Sequence, residues 1–159
     1  MKFFTYDDPD ERLTDQAAPL LRPALREFSE AQLDSLHSFV AELRFAPGAR
    51  IVSIGEDCPS LFIIVSGSVR IAAKKEEKAA NDERASVVLG EGEVFGISSF
   101  LDGEASAISA EACDGSELLV LRRSSLDQLA AWQPALAIAL LHDLATYASR
   151  RLRALDAAC

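Results

Sequence analysis

From Leu89 to Ala110 the chain sets out the residue types best suited to hold a small anion. The run is Leu89-Gly90-Glu91-Gly92-Glu93-Val94-Phe95-Gly96, then Ile97-Ser98-Ser99-Phe100-Leu101-Asp102-Gly103, then Glu104-Ala105-Ser106-Ala107-Ile108-Ser109-Ala110. It reads as a glycine-punctuated turn, a short helix and a strand. The first N–H groups of a helix have no partner within it, and the aligned peptide dipoles add partial positive charge there, so such a cassette can seat an anion on main-chain amides. Ser98, Ser99, Ser106 and Ser109 could add hydroxyl donors along it. Charge opposes the same task. Between Ala85 and Leu121 there is no Lys or Arg, whereas Glu91, Glu93, Asp102, Glu104, Glu111, Asp114 and Glu117 are acidic, so an entering anion meets repulsion.

Other chemistry finds less support. His37 and His142 are the only histidines and fall on two different helical segments with no Cys, Asp or Glu at ligand spacing, so no metal site is expected. No nucleophile-elbow motif occurs, and neither Ser98 nor Ser106 has an identifiable base, so no catalytic residues are assigned. Cys58, Cys113 and Cys159 form an odd set without metal or disulfide spacing and read as small apolar residues in a reducing compartment. Trp132 and Tyr147 read as packing residues.

The elements that must position the cassette follow from periodicity. Residues 1–28 are acidic and broken by Pro9, Pro19 and Pro23, an arm whose Phe3, Phe4 and Tyr6 are suited to docking. Ser29 and Gln32 form a capping box with Phe28 and Leu33 at staple positions, and Leu33, Leu36, Val40 and Leu43 continue a helical stripe, which predicts a helix over about 29–43. β-rich runs follow at 49–54, 61–65, 69–73, 85–89, 105–112 and 117–121, separated by Pro47-Gly48, Ser66-Gly67, Gly90, Gly92 and Asp114-Gly115. That spacing predicts a compact antiparallel barrel or jelly roll. The mixed-charge stretch 74–84 reads as a solvated hairpin connector. A short helix is expected over 124–132 and a longer one from Pro134 to about Leu155, where apolar and small residues cover about 200°. So wide an arc predicts contact with the chain's own barrel and with a second surface, most simply its copy in a homodimer, along Ala137, Leu141, Leu144, Ala148 and Leu155. Arg150, Arg151 and Arg153 read as cations offsetting the helix C-terminus.

The whole is one domain's worth of chain: 159 residues with 49% hydrophobic content, able to bury about 70% of the surface its unfolded form exposes. A net charge of −9 and a pI near 4.7 repel phosphate backbones, so nucleic acid is not an expected partner. No apolar run approaches membrane-spanning length and no secretory signal pattern is present, so a cytoplasmic location is expected.

This order of helix, barrel, cassette and paired helices resembles the cyclic-nucleotide-binding domain family over about residues 28–155. The stretches that carry the likeness are Phe45-Ala46-Pro47-Gly48-Ala49-Arg50-Ile51-Val52, the run from Gly55 through Leu61 and Gly67 to Ile71, and Leu89 to Gly96. The resemblance implies a mainly β fold with flanking helices, an antiparallel β-roll or double-stranded jelly roll, in which 1–28 is the arm, 29–159 the domain, about 44–122 the roll and about 124–156 the C-terminal helices. In the family the cyclic phosphate sits on amides at the start of the short helix, which would put the donors here at about Gly96 to Ser99, just after Phe95, and at Ala107, while a glutamate just after Phe-Gly holds the ribose 2′-hydroxyl and an arginine after a proline pairs with the phosphate. Here Ile97 stands where the glutamate belongs, and Ala105-Ser106 where the proline and arginine belong. Each missing anchor is a hydrogen bond to a charged group worth about 1.5–3 kcal/mol, so a micromolar site would weaken about 10²- to 10⁴-fold. Arg70, Arg122, Arg123 or an arginine of the last helix could reach in to compensate. Family members that regulate transcription carry a helix-turn-helix after the long helix, and this sequence ends at Cys159 without one, so DNA reading is not expected. The expected function is a non-enzymatic regulatory module acting by protein contact, with no cofactor. The alternative is a sensor that takes a cyclic nucleotide or cyclic dinucleotide through amides and serines and signals by movement of the C-terminal helices.

Overall fold

The computed structural model describes residues 29–73 and 86–158, the side chains of Leu33 and 155–158 excepted. The arm with Phe3, Phe4 and Tyr6, the Phe28–Leu33 staple, the 74–84 connector and the Leu155 side chain lie outside the described residues. The described residues fall into two compact units, one within 41–123 and the other formed by 29–40 with 124–158.

The 41–123 unit is an antiparallel roll of two four-stranded sheets. The first runs in the order β1-β8-β3-β6 and the second β2-β7-β4-β5. Their strands are β1 (Ala41–Phe45), β2 (Arg50–Val52), β3 (Ser60–Ser66), β4 (Val69–Ala73), β5 (Ser86–Leu89), β6 (Val94–Phe95), β7 (Ile108–Ala112) and β8 (Ser116–Arg122). The core is strongest where β3 and β8 pair from Ser60↔Arg122 to Ile64↔Leu118. Leu61, Phe62, Ile63, Ile64, Leu118, Leu119, Val120 and Leu121 are all buried, so both faces of these two strands are covered. Each such side chain contributes about 1.5–3 kcal/mol by leaving water.

The other unit holds α1 (Glu30–His37), α3 (Arg123–Trp132), apart from its first residue, and α4 (Pro134–Ala158). The capping box forms: the Gln32 N–H donates to Ser29 Oγ at 3.2 Å and the Ser29 N–H donates to Gln32 Oε1 at 2.8 Å. The helix nevertheless stops at His37, short of the expected 43. The chain turns at Ser38-Phe39, with the Phe39 and Val40 N–H groups bonding Leu36 O and His37 O. Residues 41–45 then enter the sheet as β1, because pairing with β8 from Ala41↔Val120 to Phe45↔Ser116 satisfies a whole edge of backbone. Leu43 is therefore a strand residue and 42% exposed, not part of a helical stripe.

On α4 the wide apolar arc divides in two. Leu136, Ala137, Leu140, Leu144 and Tyr147 are buried, while Ile138 and Leu152 are 68% and 60% exposed, with Leu141 and Ala148 half-buried between. Ala137 and Leu144, expected in an inter-chain seam, are thus buried within the chain itself. At 100° per residue they lie on the buried side of the arc, and a contact with another copy is left to the opposite side. Trp132, expected to pack, is 80% exposed. No helix among the described residues is long and apolar enough to cross a membrane.

Candidate functional site

The cassette hangs from β6 and β7. β6 is two residues long and pairs with β3 at Phe62↔Phe95 and Ile63↔Val94. The Phe62 and Phe95 rings stack in parallel with centroids 4.7 Å apart, and both are buried, so Phe95 is a core residue that fixes where the cassette starts. Before it, Glu93 closes the Gly90–Glu93 turn: its N–H donates to Gly90 O, and its buried carboxylate accepts the Gly90 N–H at 2.8 Å.

Gly96 turns the chain into α2 (Ile97–Asp102). Its φ of 81° is left-handed, and a Cβ built there would lie 2.5 Å from Ser60 O and 3.1 Å from the Phe62 ring, so no other residue fits without displacing β3. No side chain caps the helix, which leaves its first amides at Ile97, Ser98 and Ser99 to solvent or a ligand. Ser98 is exposed, Ile97 half-buried, and Ser99 buried beside fully buried Phe100. Of the three, only Ser98 presents its hydroxyl outward.

At the far end of the helix Gly103, with φ 76°, donates its N–H to Ser99 O at 2.9 Å. The Arg123 guanidinium lies over this glycine, 2.5 Å from where a Cβ would stand. Arg123 therefore offsets the helix dipole at its negative end. A six-residue helix is about 9 Å long, so that charge is far from the N-terminal amides where an anion would sit. Arg70 and Arg122 point elsewhere: Arg70 is opposite Glu111 on the outer face of its sheet, and Arg122 is exposed at the end of β8.

Ser106 is the most committed residue in the cassette. It is 6% exposed. Its hydroxyl donates to Ile108 O at 2.8 Å and accepts the Ile108 N–H at 3.3 Å. Its own N–H donates to Glu56 O at 2.9 Å, and its carbonyl accepts the Gly55 N–H at 2.7 Å. All of its donors are in use, so it has none to offer a phosphate. Ala105 and Ala107 on either side are exposed. The exposed position before Ser106 is Ala105, where a longer side chain has room.

Ser109 also leaves the candidate set. Along β7 the buried Ala110 and Ala112 face inward, so Ser109 shares the outer face with Glu111. The structure thus leaves Gly96, Ile97, Ser98 and Ala107 at least partly exposed, keeps Phe95, Ser99 and Ser106 for the fold, and turns Ser109 to the outer face of its sheet. The acidic field is also thinner than composition implies. Glu117 pairs with Arg44 at 3.2 Å, Glu111 with Arg50 at 3.9 Å, and the Asp114 carboxylate accepts the Ser68 hydroxyl at 2.8 Å. Asp102 accepts the Glu104 N–H at 2.8 Å, and both carboxylates are exposed at the end of α2. No group of three or more His, Cys, Asp or Glu among the described residues could hold a metal.

Comparison with known proteins places this geometry. Residues 42–131 match the sequence model of the cyclic nucleotide-binding domain. The cyclic AMP receptor protein of Thermus thermophilus is 33% identical over 135 residues, which are 84% of this chain and 59% of that protein. The crystal structure of the Thermus thermophilus catabolite activator protein superposes with a TM-score of 0.73 at 30% identity, covering 84% of this chain and 60% of that one. A cyclic nucleotide-binding domain from Methylobacillus flagellatus gives a TM-score of 0.71 at 20% identity, covering 93% and 88%. The chain thus spans about three fifths of the first relative it matches.

Proposed function

The chain belongs to the cyclic nucleotide-binding domain family, and on that premise we propose that it is a non-enzymatic regulatory module whose cassette keeps the family shape without ordinary cyclic AMP or cyclic GMP binding. Its output is protein contact. The observation that carries this reading is the state of residues 97 and 105–106: an isoleucine at the first turn of α2, an uncharged alanine at the exposed position, and a serine whose donors are all spent on the fold. The nearest arginine at the cassette sits at the wrong end of α2. Loss of two charge-assisted anchors costs about 3–6 kcal/mol, enough to move a micromolar site into the range of about 0.1 to 10 mM.

The contact surface is the outer arc of α4. Ile138 and Leu152 are exposed, and Leu141 and Ala148 lie half-exposed between them, an apolar strip suited to a second copy of the chain or another protein. The net charge of −9 argues against nucleic acid as the partner and for a partner that carries basic residues.

The second reading is a sensor that holds a cyclic nucleotide or cyclic dinucleotide by main-chain amides. It is favoured by the uncapped first turn of α2 and by exposed Ser98 and Ala107. Calorimetric titration with cyclic AMP, cyclic GMP and cyclic di-GMP separates the two. The regulatory-module reading predicts no saturable heat for any of the three, and appearance of cyclic AMP affinity in the variant carrying Ile97→Glu with Ala105→Arg. Saturation by the unmodified chain below about 100 µM would establish the sensor. Leu141→Glu is expected to lower the mass measured by sedimentation.

A further inference from the structure

We infer that β1 is a self-complementary edge through which two copies of this chain join their sheets antiparallel about Leu43. β1 ends the order β1-β8-β3-β6, so one side of its backbone faces β8 and the other faces no strand among the described residues. The chain leaves it open: Ala41, Glu42, Leu43 and Arg44 are all exposed and Phe45 is half-buried. An uncovered edge of this kind is a template for another strand, and proteins usually block it with charges. The charges here follow a particular order. Side chains alternate along a strand, so Ala41, Leu43 and Phe45 share one face while Glu42 and Arg44 share the other.

When two copies align antiparallel with Leu43 opposite Leu43, each Glu42 stands directly opposite the Arg44 of the other copy. Ala41 then stands opposite Phe45. Both charged pairs have opposite sign and the apolar face runs unbroken across the junction, which is the symmetry a two-fold interface demands. A guard made of one sign would repel in every antiparallel register, whereas this pattern attracts in the centred one. The existing Arg44–Glu117 pair does not consume the arginine. Arg44 is 85% exposed, and a guanidinium carries five N–H donors in a fork, so it can hold Glu117 on one edge and a second carboxylate on another. A five-residue strand spans about 17 Å and buries less than a standard interface, so the association is weak and concentration-dependent.

The edge shares no residue with the α4 strip, so its test begins in the Leu141→Glu background, which removes any contact made through Leu141. Sedimentation equilibrium from micromolar to near-millimolar protein is expected to show a monomer–dimer equilibrium. Glu42→Arg alone and Arg44→Glu alone each place like charges opposite one another and are expected to raise the dissociation constant about tenfold or more. Combining Glu42→Arg with Arg44→Glu exchanges the signs and restores the dimer. Thermal melts, expected to agree closely for Glu42→Arg and to fall slightly but stay cooperative in the two variants that trade the Arg44–Glu117 pair for like charges, separate loss of association from loss of fold. A monomer at every concentration in the Leu141→Glu background would overturn the inference, as would single charge changes without effect, the result expected if the charges merely guard the edge. If Leu141→Glu leaves the parent mass unchanged while Glu42→Arg lowers it, the edge stands and the helix contact falls.

Discussion

The two ends of α2 use one backbone device and finish it in opposite ways. Each ends on a left-handed glycine, Gly96 at φ 81° and Gly103 at φ 76°. At Gly96 the obstacle to any side chain is main chain, the Ser60 carbonyl, whereas at Gly103 it is the far end of the Arg123 side chain. The first end is a rigid frame without a charged side chain to back it. The second holds a cation on a flexible stem. In this cassette backbone constraint fixes the shape at the first end of α2, and a cation stands at the other, where it meets the helix dipole.

Gly96→Ala is the strongest way to test that contrast. A strained φ combined with a clash against β3 is expected to cost about 2–4 kcal/mol in chemical unfolding. Ser106→Ala follows at about 1–3 kcal/mol, because it strips the hydroxyl that satisfies the N–H and C=O of Ile108 in a buried corner. A cost near zero would mean that the hydroxyl is not needed by the fold, and would return Ser106 to the set of possible ligand donors. Gly103→Ala is expected to cost about 1 kcal/mol, since the guanidinium can move aside and only the backbone penalty remains. Equal losses at Gly96 and Gly103 would erase the distinction between the two ends. Arg123→Ala should be the mildest, about 0.3–1 kcal/mol and shrinking as salt is added, as a dipole interaction does.

Local signals were read well. The Ser29–Gln32 capping box, the strand over 69–73, the helix break at Pro134 and the cassette glycines all depend on residues within a few positions of one another. The misreadings share a different cause. Leu36, Val40 and Leu43 keep helical spacing, yet Ala41–Phe45 becomes a strand because β8, more than seventy residues later, offers it a pairing edge. β6 was lost among turn residues because two residues carry no period, and only pairing with Phe62 and Ile63 makes them a strand. The site was half legible for the same reason. The absence of a glutamate at 97 and of any cation nearby can be read from composition. That Ser109 faces outward is a fact of register, and that Ser106 is saturated while Ala105 is exposed follows from a contact with Gly55 and Glu56 about fifty residues earlier. The α4 arc was correctly seen as too wide for one buried face, but which half is buried depends on packing that periodicity does not encode.

The double bridge in which Gly55 and Glu56 hold the Ser106 backbone from both sides bears on how readily this protein acquires new recognition. The bridge uses only main-chain atoms, so it stays in place whatever side chains stand beside it. Positions 97, 98, 105 and 107 are therefore spared the folding penalties that police 95, 96 and 106, and they can drift or be randomised with little harm to the scaffold. They form a compact alphabet on a fixed page: four neighbouring sites at which a lineage, or a library, can write a different ligand without first rebuilding the pocket.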